Sequence, residues 1–566
     1  MPAVYDRLGS ILLLATAYGA GVFFYRRGLR YLQFFQQEDY ESRRFAQWYM
    51  DRKAHDRKAS LIAFAAAVAT FALHHLGDWL IICLNLSASA CLGYVGLAEE
   101  DPRATGKLSL KMTERAKRIF YLSLAIYFMN VLVNAAYAMQ RPLAISFVGF
   151  WILQIFFFQA QPFILILANS ILNPYEKNLQ EGFAEEARAI LRRVHPFIIG
   201  ITGSYGKTSS KVILTEILNS VCPTFTTPRS INSYMGVTRE IRDRLKPQHK
   251  YAVIEMGAYY AGSIQRMCSL TPPNAAIVTA VGEMHLERFG SADNVFRAKS
   301  ELPQALGKDG LLVLNGDYQY CRQMAADTKA ERILFYGLDE QTGVLDAYMH
   351  DIAPIEKGTN FTIRWGDKEY QGFTQLLGRP MLSNILACFT MACAIGLNPE
   401  LVLAVIRNVK TESNRLEPVR AAISSMQAIA NGQPAKEGTI LRLNDAYNSN
   451  PKGFAGALEV LDTVPGKRKI LVTPGMIELG ERQYEENKRA AEKAAAVCDL
   501  VLVVGKTNEK ALLEGLNSGG MAGEKFRTIE SMQEALSFLA AQYCEDGDVV
   551  LIENDLPDLY EAIPTF

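Results

Sequence analysis

Hydrophobic and polar positions divide the 566-residue chain into two unlike parts. Before residue 170 five apolar stretches follow one another: Leu8–Tyr25, Ser60–Leu76, Leu80–Leu97, Ile119–Tyr137 and Leu143–Ala168. Each approaches the roughly 20 residues needed to cross hydrocarbon as a helix. Only Gly77, Asp78 and Trp79 separate the second from the third, which predicts a helical hairpin. A single such stretch is equally the pattern of a buried soluble helix; five in succession favour membrane spans. Asn173-Pro174 has the form of an N-cap and first turn, and Leu179, Phe183, Ile190 and Val194 then share one helical face. Beyond residue 195 the apolar runs shorten to strand length and alternate with helical periodicity, the pattern of α/β domains.

Charge orients the first part. Arg26, Arg27, Arg30, Arg43, Arg44, Arg52, Lys53, Arg57 and Lys58 lie in the first connection, and Arg103, Lys107, Lys111, Arg115, Lys117 and Arg118 in the third. The amino terminus offers only Arg7, and the segment after the fourth span only Arg141. Positive-inside then places the amino terminus outside the inner (cytoplasmic) membrane and everything after Ala168 in the cytoplasm. The aromatics Tyr31, Phe34, Phe35, Phe45, Trp48 and Tyr49 of the first connection suit either an in-plane amphipathic helix or a solvated connector. The net charge of zero argues against nucleic acid as a partner, and nine scattered cysteines without a C-x-x-C pair argue against a disulfide framework.

Candidate chemistry begins at Phe197-Ile-Ile-Gly-Ile-Thr202, a short buried strand by composition. Gly203-Ser-Tyr-Gly-Lys-Thr-Ser209 follows, then Val212, Ile213, Ile217 and Leu218 at helical spacing. Strand, glycine-bearing loop and helix together make a phosphate loop, although Ile201 stands where the usual spacing wants glycine. Thr202, Gly203, Ser204, Tyr205, Gly206, Lys207, Thr208 and Ser209 are thus candidate ATP contacts, with Lys207 on the β and γ phosphates and Thr208 on Mg²⁺. Two further strands, Tyr251–Gly257 and Ala275–Val281, lead to Glu255 and to Glu283 and His285. Taken singly, Glu255 is a surface acid and His285 a satisfied polar residue; after a phosphate loop, both become candidate ligands at strand ends.

From about Pro196 onward the chain resembles the Mur ligase superfamily, ATP-dependent enzymes that form amide bonds in peptidoglycan precursors. The resemblance rests on Thr202–Ser209, Asn232-Ser-Tyr-Met-Gly236, Glu255-Met-Gly-Ala258, His285–Ser291, Ala298-Lys-Ser-Glu301 and Leu314-Asn-Gly-Asp317. It continues through Asn384, Arg415-Leu-Glu417, Asp445-Ala-Tyr-Asn-Ser-Asn-Pro451 and Gly475–Glu481, the last two most similar to the branch that adds D-alanyl-D-alanine. The resemblance implies one Mg²⁺ on Thr208 and Glu255, a second on His285, a carbamylated Lys299, and nucleotide contacts from Asn384, Arg415 and Asp445. With Lys207, His285 and Lys299 are the implied catalytic residues. The implied domains are a helical transmembrane domain at 1–172, a linker helix at 173–195, a central P-loop α/β domain at 196–416 and a small Rossmann-like carboxyl-terminal domain at 417–566.

Four departures from the family stand out: Ala280 for Asn, Pro380-Met381 for His-Asn, Asn487 for His, and Glu553-Asn-Asp555 for Lys-Gly-Ser. Nor do the thirty-odd residues between the last span and the phosphate loop leave room for the family's UDP-sugar domain. The expectation is a membrane ligase joining an amino acid or dipeptide to a lipid-linked or envelope-polymer carboxylate. Two other classes compete. An ATP-driven transporter would put ionisable groups in the spans, which hold mainly neutral Asn130, Asn134, Gln154, Gln159 and Gln161. A non-catalytic scaffold would not need Lys207, Thr208, Glu255, His285 and Lys299 together.

Overall fold

The structure is a computed structural model. It describes the chain apart from residues 1, 53, 105–108, 140, 259, 283–288, 290, 341–343, 356–357, 411–415, 427–435, 447–448 and 557–566, and apart from the side chains of 2–9 and 354. Two compact units divide at Leu179 and Gln180.

The first unit is helical: α1 (Pro2–Gln37), α2 (Ser42–Asp51), α3 (Arg57–Leu73), α4 (Asp78–Leu97), α5 (Glu114–Ala138) and α6 (Leu143–Val194), which continues into the second unit. The expected hairpin is present, because Gly77 at φ +118° breaks the chain between α3 and α4 where a side chain would be strained. Among the described residues four helices are long and apolar enough to cross a membrane, within Arg57–Leu76, Asp78–Leu97, Glu114–Ala138 and Leu143–Val194. The first predicted span, Leu8–Tyr25, falls inside α1, part of which lies outside the described side chains. Only 28% to 39% of each apolar window is buried, so most of this apolar surface faces outward.

Two expectations about this unit change. The aromatics of the first connection are not solvated: α1 continues through it to Gln37, and the apolar face of α2 docks on protein. Phe45 stacks on Phe35 at 4.8 Å, Trp48 meets Phe34 at 4.4 Å, and Tyr49 meets Phe163 edge-on at 5.7 Å. Arg27 is also drawn inside, paired with Asp56 at 3.3 Å and with Glu99. No helix opens at Asn173-Pro174, since α6 runs unbroken through Pro162 and Pro174. A proline removes one backbone hydrogen bond, a cost that packing along a long helix can outweigh.

The second unit holds two sheets. Strands β1 (Phe197–Thr202), β2 (Thr224–Thr226), β3 (Tyr251–Glu255), β4 (Ala275–Val278), β5 (Leu311–Asn315), β6 (Arg332–Gly337), β7 (Ala347–Ile355), β8 (Gly358–Trp365) and β9 (Lys368–Thr374) form a nine-stranded sheet in the order β2-β3-β1-β4-β5-β6-β7-β8-β9. Pairing is parallel from β2 to β7 and antiparallel beyond. The chain builds outward from β1 to β3 and β2 on one side and to β4 and β5 on the other. The carboxyl end of β1 is therefore a topological switch point, where doubly wound sheets open a crevice for ligands. Strand alternation fills both faces: Ile199 and Ile201 join one core and Ile198 the other.

Strands β10 (Glu417–Ala422), β11 (Thr439–Asp445), β12 (Lys469–Thr473), β13 (Leu500–Val504), β14 (Phe526–Ile529) and β15 (Val549–Glu553) form the second sheet, ordered β10-β11-β15-β12-β13-β14. It is parallel except for β10. The apolar runs Ile440–Leu443, Ile470–Thr473, Leu500–Val504 and Val549–Ile552 mark four of its strands, β11, β12, β13 and β15, in the sequence. The edge strands β10 and β14, with a polar outer pattern, are not marked in this way.

Candidate active site

The phosphate loop lies at the switch point. Thr202 ends β1, and its hydroxyl donates to the Met256 carbonyl at 3.0 Å. Ile201 is not part of the loop: it is fully buried in β1 and sits in register with Glu255 and Ile277. Its failure to match the usual glycine therefore has no consequence for phosphate. The turn itself is Gly203–Gly206, and helix α7 (Lys207–Asn219) starts directly after it. Gly206 adopts φ +81°, and a Cβ there would overlap the Asn384 amide. Asn384, on the helix Arg379–Ala394, is thus held against the loop.

Neighbouring strand ends lock this turn. The Ser204 amide donates to Ala280 O at 2.7 Å, and its hydroxyl exchanges hydrogen bonds with Gly282. Because Ala280 serves through its carbonyl, the departure from Asn there leaves the contact intact. Thr279 donates to Tyr205 O at 2.5 Å, and Asn315 bridges Thr279 O and Ser383. Asn315 belongs to the Leu314–Asp317 motif, whereas Thr279 carried no role in the sequence reading. Pro380 lies in the first turn of the Asn384 helix, and Met381 Sδ stands 3.9 Å from Asn384 Nδ2. The Pro-Met departure is therefore compatible with helix initiation.

Two lysines converge on one carbonyl. Lys207 Nζ donates to Gly203 O at 2.8 Å and Ser204 O at 3.2 Å, and Lys299 Nζ reaches Gly203 O at 2.8 Å from 96 residues away. Burial, and next the charge of Lys207, push the Lys299 amine well below the usual lysine range. Burial at this position thus favours the neutral amine.

Glu255 closes β3 beneath α7. Asn232 Nδ2 donates to its Oε1 at 2.8 Å, and its Oε2 lies 3.3 Å from Lys211 Nζ. Together with Thr208, the carboxylate offers hard oxygen donors of the kind Mg²⁺ takes, and phosphates and water supply the rest. No group of three or more His, Cys, Asp or Glu gathers around a common point among the described residues. These residues thus fit one magnesium ion held jointly with nucleotide. Glu283, His285 and Arg415 lie outside the described residues, and with them the ligand expected for a second ion.

The carboxyl-terminal sheet turns its strand ends to the same region. Lys452, in the first turn of the helix Pro451–Thr463, sits 4.0 Å over the Tyr318 ring, and Tyr318 lies 6.3 Å from Tyr205 of the phosphate loop. Asp445 accepts from the Leu416 amide at 3.1 Å, which ties it to the interdomain connection. Glu553 is in register with Asp445 and bonded to Ser449. Burial, and next the charge of Asp445, hold Glu553 well above the usual carboxylate range. Asn487 bonds Met476 N and O, and Asn554 bonds Gly475 O, so these two departures latch the Gly475–Ile477 turn.

Residues 201–392 match the Mur ligase middle domain and residues 433–553 the Mur ligase glutamate ligase domain, together more than half of the chain. The UDP-N-acetylmuramoyl-tripeptide–D-alanyl-D-alanine ligase of Escherichia coli is 29% identical over 367 residues, 65% of this chain and 76% of that one. The Bacillus subtilis enzyme of the same name is 28% identical over 305 residues, and the chain spans 61% of its length. MurF from Thermotoga maritima in complex with ADP superposes with a TM-score of 0.56 at 25% identity, covering 66% of this chain and 80% of that one. MurF from Acinetobacter baumannii gives 0.57 at 23% identity, covering 66% and 77%. Residues 201–553 thus carry the middle and carboxyl-terminal domains of the Mur ligase family, and the chain is an ATP-dependent acid–amino-acid ligase.

Proposed function

We propose that this chain is a membrane-anchored ligase that joins an amino acid or dipeptide to a carboxylate of a peptidoglycan or other cell-envelope precursor on the cytoplasmic face. The observation that carries the chemistry is the convergence of Lys207, Lys299 and Asn384 on the Gly203–Gly206 turn. A carboxylate is a poor electrophile. Its oxygen attacks the γ-phosphorus, the bond to the β-phosphate oxygen breaks, and ADP leaves an acyl phosphate. The amine nitrogen then attacks the acyl carbon, phosphate departs with its oxygen, and the amine gives up a proton. Both steps gather negative charge at the loop. The backbone N–H groups, α7 and Lys207 oppose that charge, while Asn384 and Asp445 position the nucleotide. Magnesium, held by Thr208 and Glu255, would supply further neutralisation of the phosphates. His285, Arg415 and the carbamate on Lys299 complete the reading by resemblance.

Support for the membrane comes from the outward-facing apolar windows of α3–α6, in a pattern that water would not tolerate and acyl chains would. A substrate held at the bilayer would need no UDP clamp, and only His195 and Pro196 separate α6 from β1. The acceptor is therefore read as lipid-linked.

Phosphate release from radiolabelled ATP by purified protein in lipid tests both halves. Lys207→Ala should abolish release stimulated by acceptor and amine, and an unaffected rate would overturn the site. A lipid-linked acceptor should be preferred; preference for the soluble UDP-linked form would remove the bilayer-held substrate while leaving the ligase.

A further inference from the structure

Lys211 follows Lys207 by one turn of α7 and was not marked by any sequence motif. Its side chain and that of Glu255 are each 1% exposed and form an ion pair at 3.3 Å. Lys211 Nζ also donates to the Arg229 carbonyl, on the loop that carries Asn232. Arg229 holds φ +48°, so this carbonyl is presented by a backbone turn that most residues avoid. Asn232 in turn donates to the other Glu255 oxygen, and its own carbonyl accepts from Gly257 N at 3.1 Å. The carboxylate assigned to the metal is thus held on both oxygens from within the protein. One of those partners is a cation, and a metal ion would have to compete with it.

We propose that Lys211 is the resident counter-ion of the metal carboxylate, a positioning residue that holds Glu255 Oε2 in place while no metal is bound. This rests on the reading of Thr208 and Glu255 as metal ligands. A buried carboxylate needs a cation or a proton. Lys211 supplies the cation, and by occupying Oε2 and repelling a second cation it makes metal binding unfavourable in the absence of phosphates. The triphosphate tips the balance, so the metal enters with its nucleotide rather than before it. A purely structural role, bracing α7 against β3 and the Arg229 loop, makes the opposite prediction about metal affinity.

The test is Mn²⁺ binding to the full chain in detergent without nucleotide, read by electron paramagnetic resonance, with thermal unfolding alongside. Lys211→Met should bind Mn²⁺ about tenfold or more tightly than the parent, because a unit charge beside the ion is removed. Its metal-free melting temperature should fall and return on adding Mn²⁺. Unchanged or weaker Mn²⁺ binding would overturn the proposal and leave Lys211 as a brace. Glu255→Gln separates the underlying reading, since Mn²⁺·nucleotide binding at parental affinity in that variant would remove Glu255 as a ligand altogether. Should Lys211→Met not fold, the double variant with Glu255→Gln decides. Melting with the Glu255→Gln single variant supports the counter-ion role, and melting well below it supports the brace.

Discussion

Replacing Gly206 by alanine tests the geometry of the phosphate loop with a single methyl group. At φ +81° an L-residue costs about 1–2 kcal/mol. The new Cβ would also overlap Asn384 Oδ1 and lie 3.0 Å from Asn384 Cγ, and overpacking of this kind adds about 1–3 kcal/mol. Gly262 supplies the control, with a similar φ of +88° and, among the described residues, nothing within 4 Å of its Cβ. Gly262→Ala should therefore show the backbone cost alone. The difference between the two variants isolates the packing of Asn384 on the loop. Thermal or denaturant unfolding measures the stability, and titration calorimetry with ADP measures the site. Gly206→Ala should lose roughly tenfold or more in ADP affinity, each factor of ten being about 1.4 kcal/mol, while Gly262→Ala should bind normally. Adding Asn384→Ala to Gly206→Ala should recover the steric share of the stability but not the nucleotide affinity. If Gly206→Ala behaves like Gly262→Ala in both assays, Asn384 does not pack on the loop and its place in the site is wrong.

Two further variants probe buried charge. Glu553 has a folded-state pKa above its ordinary value, so its contribution to stability is complete at acid pH and is lost as pH rises through the folded value. Glu553→Gln mimics the protonated carboxyl, and its advantage over the parent in melting temperature should grow from pH 5 to pH 8; parallel pH profiles would refute this. In the helical unit, Arg27→Met strands the buried Asp56 carboxylate and should cost about 3–5 kcal/mol in detergent unfolding. Arg27→Met with Asp56→Asn should cost clearly less, and equal losses would mean that the pair does not couple.

The departures that bear on substrate sit in the carboxyl-terminal domain. Asn487 and Asn554 are taken up in shaping the Gly475–Ile477 turn, and Glu553 is buried against Asp445. They therefore shape this end of the carboxyl-terminal sheet through contacts within the protein.

Local pattern alone determined much of this protein. Apolar runs of span length, the Gly77 break, the strand–loop–helix of Phe197–Asn219 and the carboxylate at the end of β3 depend on neighbours within a few residues, where periodicity and turn chemistry act. Tertiary structure decided what meets across the sheet. Placing β1 between β3 and β4 brings Lys299, Thr279 and Asn384 to a loop as much as 178 residues away from them in sequence, and sets Lys211 against Glu255. The same holds in the helical unit, where α6 continues through Pro174 and α2 turns its aromatics onto protein. Neither outcome follows from propensity, because long-range packing outweighed a local stop signal in one and an amphipathic surface pattern in the other. Buried ion pairs are the extreme case: a lysine and a glutamate look solvent-exposed in any window of sequence, and only the fold that removes water from both makes them partners.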